Sequence, residues 1–382
     1  MTIKVSERGV IPSFIVMDVM RAANERAASG KDVLHLEVGQ PSTAAPAKVL
    51  EAAKSALGSD LLGYTDALGV PELRQRLSRY YADYYDFKVS PERIVVTTGS
   101  SGAFLLAFLA VFDVGDKVVL ASPSYPAYKN ILRALGVKPV DILVGPDTHF
   151  QLTPELLDRC GEKLDGVIVT SPSNPTGSML SREAMKHLVD WCEGNGVRLI
   201  SDEIYHGITY GGKAGTALSF NDDTIVVNSF SKYFSMTGWR LGWIVIPDDL
   251  VRTAECLAQN LFISPPTLSQ LAAISVFDCF EELDENVARY ARNRELLLAE
   301  LPKAGLNKMA PSDGAFYIYA DIAHLSNDSD EFCRQALAKT GVAFTPGIDF
   351  DAQRGATSVR FSYSGATEDM AEAASRLKSW LA

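Results

Sequence analysis

Cysteine is scarce in this chain of 382 residues: five, at positions 160, 192, 256, 279 and 333, with no CxxC pair and no Cys/His cluster. That scatter excludes a disulfide framework and a thiolate metal site, and it makes buried free thiols in a reducing, cytoplasmic compartment the expectation. No metal ligand set is expected. Basic residues are also in short supply. Lys plus Arg number 36 against 47 Asp plus Glu, a formal charge of −11. Without basic clusters, nucleic acid and anionic membrane are excluded as main partners. No apolar run reaches the length that spans a bilayer. Lys4 and Arg8 ahead of Val10–Met17 loosely imitate a signal peptide, but Asp18 interrupts the run and a helical pattern continues with no clear cleavage site. A mature N-terminal helix is therefore expected. Internal repeats and low-complexity tracts are absent.

What is present is an ordinary globular balance, 47% apolar and 22% charged, in a chain long enough for about two domains. Periodicity predicts helices over residues 13–30, 46–57, 103–112, 181–194, 248–259, 265–280, 283–301 and 328–339. Apolar runs predict strands at 33–36, 93–97, 116–121, 165–170, 197–201, 224–227, 241–246 (a candidate antiparallel strand), 314–320, 342–347 and 358–363. Thr367 is expected to cap the last helix, with Glu368 and Asp369 in its first turn.

The chain is organised around Asn228-Ser229-Phe230-Ser231-Lys232-Tyr233-Phe234-Ser235-Met236-Thr237-Gly238-Trp239-Arg240. One lysine stands among small hydroxyl and apolar residues just past a core strand. Such a setting disfavours the ammonium and lowers the lysine pKa toward a usable nucleophile, able to form a Schiff base with a carbonyl. The hydroxyls of Ser229 and Ser231 and the Arg240 guanidinium suit a phosphate dianion. Upstream, a strand opens through Thr98-Gly99-Ser100-Ser101-Gly102 into an apolar helix, the arrangement of an anion cradle. It fits neither GxGxxG nor the Walker pattern, so a nucleotide is not favoured.

Asn174, Asp202 and Lys232 lie 28 and then 30 residues apart, each after an apolar strand. Gaps of that size hold right-handed crossovers, which make the strands parallel and bring all three residues to one sheet edge. Tyr125, just past another strand, can lie flat on a ring. Arg360 within an apolar strand is either a structural ion pair, an edge-strand charge or a two-pronged carboxylate clamp.

In combination these motifs resemble the class I/II pyridoxal-phosphate (PLP) aminotransferases, the aspartate aminotransferase fold family, over roughly residues 10–380. The resemblance implies an α/β PLP-dependent transferase fold: a large domain (46–283) with a mostly parallel central sheet flanked by helices, plus a smaller α+β domain from 1–45 and 284–382. It implies pyridoxal 5'-phosphate as cofactor and an α-amino acid and a 2-oxo acid as substrates. Lys232 takes the role of catalytic Schiff-base lysine. Gly99, Ser100, Ser101, Ser229, Ser231 and Arg240 hold the phosphate end, Tyr125 stacks on the pyridine, and Asp202 meets its nitrogen. Asn174 and Tyr205 reach its ring oxygen, and Arg360 and Gly39 receive the substrate carboxylate, with Asn174 also counted among the substrate-binding residues. Tyr64, in the Gly63–Arg74 segment, reaches the neighbouring subunit's phosphate, so a homodimer is implied. Ile11, Ser13, Phe14 and Tyr64 are the residues the resemblance places along the substrate side chain. Two features depart from the family: two serines in the phosphate loop, and Gln40 after Gly39 where an acid is commoner. A PLP-dependent carbon–sulfur lyase on the same scaffold is the alternative reading. An aminotransferase-like regulator would carry a basic DNA-binding extension, and the acidic balance makes that the less expected reading.

Overall fold

The computed structural model describes residues 3–382. Among them twelve strands form three sheets. β1 (Leu34–His35) pairs in parallel with β10 (Val342–Ala343). The central sheet joins β2 (Ile94–Thr97), β3 (Lys117–Ser122), β4 (Lys138–Leu143), β5 (Gly166–Thr170), β6 (Arg198–Asp202), β7 (Ile225–Ser229) and β8 (Gly242–Val245). Its order is β2-β8-β7-β6-β5-β3-β4. The third sheet is antiparallel, order β11-β12-β9, from β9 (Tyr317–Asp321), β11 (Thr345–Pro346) and β12 (Ser358–Ser362).

In the central sheet β3 through β7 run parallel, and β8 is antiparallel to both its neighbours. The chain thus delivers six segments to one edge: those following β2, β3, β4, β5, β6 and β7. The loop entering β8 arrives there too, because Gly242 pairs with both Thr97 and Ser229. β2, β7 and β8 are buried along their whole length, as apolar runs without alternation require. The helix Gly99–Val111 is apolar all round and packs across β7 and β8.

Three expectations shift. The apolar helix begins at Gly99 rather than 103, which takes Ser100 and Ser101 into its first turn. The expected helix over 265–280 is α-helical only for Thr267–Ala273 and tightens to a 3-10 helix over Ile274–Asp278. Thr367 does not cap the final helix: Ala366 is the N-cap, and the Thr367 hydroxyl instead donates to Asn293 Oδ1 at 2.7 Å. Asn293, buried in the helix Phe280–Glu300, draws that hydroxyl away from the helix end. β4 forms the sheet's far edge. No helix among the described residues is long and apolar enough to cross a membrane.

Candidate active site

Lys232 lies three residues beyond β7, half-buried, with Nζ donating to the carbonyl of Gly39 at 2.6 Å. Burial, then the nearby Arg360 and Arg240 charges, lower its pKa to about 8, with Asp202 pulling the other way. About a tenth of the amine is therefore uncharged at pH 7, the nucleophilic form, far more than for an ordinary lysine. Asp202 ends β6 and is buried. Its Oδ1 accepts from the Ile204 N–H at 3.0 Å, and its Oδ2 accepts from the Tyr128 hydroxyl. Burial raises it to about 6, against the lowering effect of those two hydrogen bonds and of Lys232.

The first turn of the helix Gly99–Val111 offers backbone N–H groups that Thr98 does not cap with its side chain. Arg240 stands over this turn in a left-handed conformation (φ 52°). A Cβ on Gly99, itself at φ +73°, would lie 2.6 Å from Arg240 Nη2. A Cβ on Gly242 would lie 2.8 Å from the Gly99 carbonyl carbon and 3.0 Å from the Ser100 nitrogen. Only glycines permit this approach of guanidinium, strand and helix end. Ser229 Oγ is 2.8 Å from Ser231 Oγ and 3.1 Å from the Leu241 carbonyl, and the Ser231 N–H donates to Ser229 Oγ. Free donors and a cation at a helix N-terminus fit a phosphate group, and Lys232 and Asp202 fit the aldehyde and the ring nitrogen of pyridoxal phosphate.

Arg360 is buried in β12 and forms no ion pair among the described residues. Nη1 donates to Asn174 Oδ1 at 2.9 Å, and Nη2 to the Glu37 carbonyl and to Thr345 Oγ1 (3.2 Å). Nε has no partner at all. The guanidinium is sandwiched between the rings of Tyr317 (4.5 Å) and Phe350 (4.7 Å). A desolvated, carboxylate-free guanidinium is costly unless an anion arrives from outside the chain.

The remaining residues gather around this centre. Asn174, buried, follows β5, and its peptide bond to Pro175 is cis. Tyr205 and Tyr317 share a hydrogen bond of 2.7 Å between their hydroxyls. Gly39 is where a Cβ would collide with the Tyr317 hydroxyl at 1.8 Å. Tyr125 meets Phe14 edge-on at 5.5 Å and Tyr128 at 5.2 Å, and burial pushes its hydroxyl up to about 12. Tyr64 stands apart, 84% exposed, and no hydrogen bond or ring contact ties it to the cradle of its own chain. Ile11 is likewise exposed. The sequence assigns no site role to Tyr128, Tyr317, Phe350 or Thr345. Tyr128 had a signal, one helical turn beyond Tyr125; the others had none.

A family profile described as aminotransferase class I and II matches residues 31–377. The valine–pyruvate aminotransferase of Mycobacterium tuberculosis is 49% identical over 385 residues, spanning 100% of this chain and 99% of that protein. A crystal structure of an aminotransferase from M. tuberculosis superposes with a TM-score of 0.98 at 49% identity, covering 100% of this chain and 99% of the other. Aspartate aminotransferase from Thermus thermophilus, determined with maleate, superposes with a TM-score of 0.92 at 31% identity, covering 99% and 100%.

Proposed function

The chain belongs to the class I and II aminotransferases, enzymes of the aspartate aminotransferase fold that move amino groups between amino and oxo acids, and from that premise we propose that it binds pyridoxal 5'-phosphate through Lys232 and takes an apolar α-amino acid of the valine class as donor, with pyruvate as acceptor. The observation that carries the reading is the Lys232 amine, held near Asp202, Arg240 and Arg360 with its pKa lowered to about 8. When bound, the cofactor supplies an aldehyde that condenses with amines and a protonated pyridine that draws electrons from the substrate Cα.

The chain's own residues do the rest. Lys232 Nζ would hold the cofactor's aldehyde end, and as a free amine it would take the proton from the substrate Cα as general base. Asp202 holds the proton on the pyridine nitrogen, oriented by Tyr128 and the Ile204 N–H. The Gly99-Ser100-Ser101 turn, Ser229, Ser231 and Arg240 bind the phosphate. Asn174 and Tyr205 bind the ring oxygen, and Tyr125 covers the ring face. Arg360 takes the α-carboxylate against Gly39. Arg360 and Arg240 are the cations that lower the Lys232 pKa, and in this reading they are engaged by the α-carboxylate and the phosphate. Phe14 against Tyr125 is consistent with an apolar donor side chain. We place the cofactor domain at 46–283 and the small domain at 1–45 and 284–382; the separate sheet β11-β12-β9 supports that division. The enzyme acts as a cytoplasmic homodimer in this reading, with Tyr64 crossing to the partner.

A panel of amino donors with pyruvate and 2-oxoglutarate tests the proposal. L-valine with pyruvate is expected to give L-alanine, and Lys232→Ala to lose both the cofactor's imine absorbance and nearly all turnover. Release of ammonia without an acceptor marks a lyase and rejects the transfer reaction. Preference for aspartate rejects the donor class.

A further inference from the structure

A cavity of about 490 Å³ lies between the helix Pro71–Tyr85, the segment 207–213, Tyr233 and the start of the helix Phe280–Glu300. Neither Lys232, Asp202, Asn174 nor Arg360 lines it. Its walls are flat rings: Tyr80 stacks on Tyr84 (5.3 Å, 26°) and on Phe280 (6.2 Å, 16°), and Tyr233 lies 6.4 Å from Phe280. Both signs of charge stand at its rim. Arg76 is already taken by Asp278. Arg79 and Lys213 are exposed and form no ion pair among the described residues, and Lys213 Nζ sits 4.7 Å over the Tyr84 ring. On the acidic side, Asp284 accepts from the Tyr233 hydroxyl at 2.6 Å, and Asp83 is exposed without an ion pair.

A ligand of a single charge is attracted by one pair and repelled by the other. A zwitterion satisfies both, and stacked rings select a planar apolar group. We propose that this cavity binds a free aromatic α-amino acid at a site separate from the active site. The carboxylate faces Arg79 and Lys213, the ammonium faces Asp83 and Asp284, and the ring lies on Tyr84 and Phe280. An ammonium at Asp284 competes with the Tyr233 hydroxyl. Tyr233 is packed so closely on Gly207 that a Cβ there would lie 2.5 Å from its ring, and it is the residue after Lys232. Occupancy is therefore coupled to the position of the reactive amine, and the ligand alters turnover.

Calorimetry with L-phenylalanine tests this on the holoenzyme, on Lys213→Glu, which changes an exposed loop residue and leaves basal turnover intact, and on Thr209→Trp, which fills the cavity. Dissociation constants at least tenfold higher in both variants are expected. A similar loss is expected with 3-phenylpropionate, which lacks the ammonium, and with phenethylamine, which lacks the carboxylate. Phenylalanine binding unchanged in both variants, or none to wild type at millimolar concentration, overturns the proposal and leaves the transaminase reading untouched.

Discussion

At Lys232, desolvation and two guanidinium charges outweigh one carboxylate. The consequence is a pH profile. Covalent capture of an aldehyde at this residue, trapped by borohydride and read by mass spectrometry, is expected to rise as pH passes about 8 and to level off above it. An ordinary lysine keeps gaining up to about 10.4; a profile of that shape at Lys232 refutes the lowered pKa. Arg360 invites a second substitution. Arg360→Lys keeps the charge but loses the two-pronged grip and the planar stack between Tyr317 and Phe350. Loss of one charge-assisted hydrogen bond, about 1.5–3 kcal/mol, predicts a fall of roughly 10- to 100-fold in kcat/KM for the amino donor. Both residues were legible in the sequence, because a cation in an apolar or hydroxyl-rich run needs a reason. Tyr317 was not. It reads as one more apolar strand residue, and its partners Tyr205 and Arg360 come from distant parts of the chain.

Parallel strands made the site's layout legible at the level of elements. Buried strands spaced by crossovers must deliver their ends to one edge, and β5, β6 and β7 do so with Asn174, Asp202 and Lys232 just beyond. The helix start was less legible, because Gly99, Ser100 and Ser101 are poor helix formers by propensity and are held helical by packing against β8. That packing is tight enough to test. Gly99→Ala places a methyl into the Arg240 guanidinium at a left-handed backbone, so phosphate-dependent cofactor affinity is expected to fall at least tenfold while pyridoxal, without the phosphate, binds as before. Equal losses for both ligands contradict an anion cradle. The end of β6 carries a second device. Glu203, buried, accepts from Ser201, Thr216 and the Ala217 N–H, yet burial still raises it to about 8. Its folded pKa lies above the unfolded value near 4.5, so the folded state binds the extra proton. The stability this contributes is whole below about pH 4.5 and is lost as pH climbs through about 8. Glu203→Gln has nothing to ionise, and its melting temperature is expected to gain on wild type as pH rises from about 5 to about 8 and to hold that gain above it; a constant offset across this range refutes the raised pKa.

For the molecule as a whole, the informative feature is apolar surface left in water. Leu61 is 96% exposed and Tyr64 84%, with Leu57, Leu261 and Ile263 also in solvent. Apolar side chains left in water near one another in sequence are the usual mark of a surface another protein covers. The segment bearing Tyr64 is fixed rather than free: the Gly63 carbonyl accepts from Thr267 Oγ1 at 2.6 Å, and Thr65 Oγ1 accepts from the Gln270 side chain at 3.0 Å. The proposed homodimer would use this anchored, exposed tyrosine at its interface. Sedimentation is therefore expected to give a particle of twice 41.5 kDa. Leu61→Glu, adding like charges across a two-fold axis to a chain already at −11, is expected to favour the monomer and to reduce cofactor occupancy with it. Tyr64→Phe separates assembly from chemistry. It keeps the ring and the dimer but removes the hydroxyl, so losing one hydrogen bond to a phosphate predicts a dissociation constant for pyridoxal phosphate higher by roughly tenfold, about 1.4 kcal/mol. A Tyr64→Phe dimer that holds the cofactor as tightly as wild type removes Tyr64 from the partner's site, and a wild-type enzyme that is active as a monomer removes the shared site altogether.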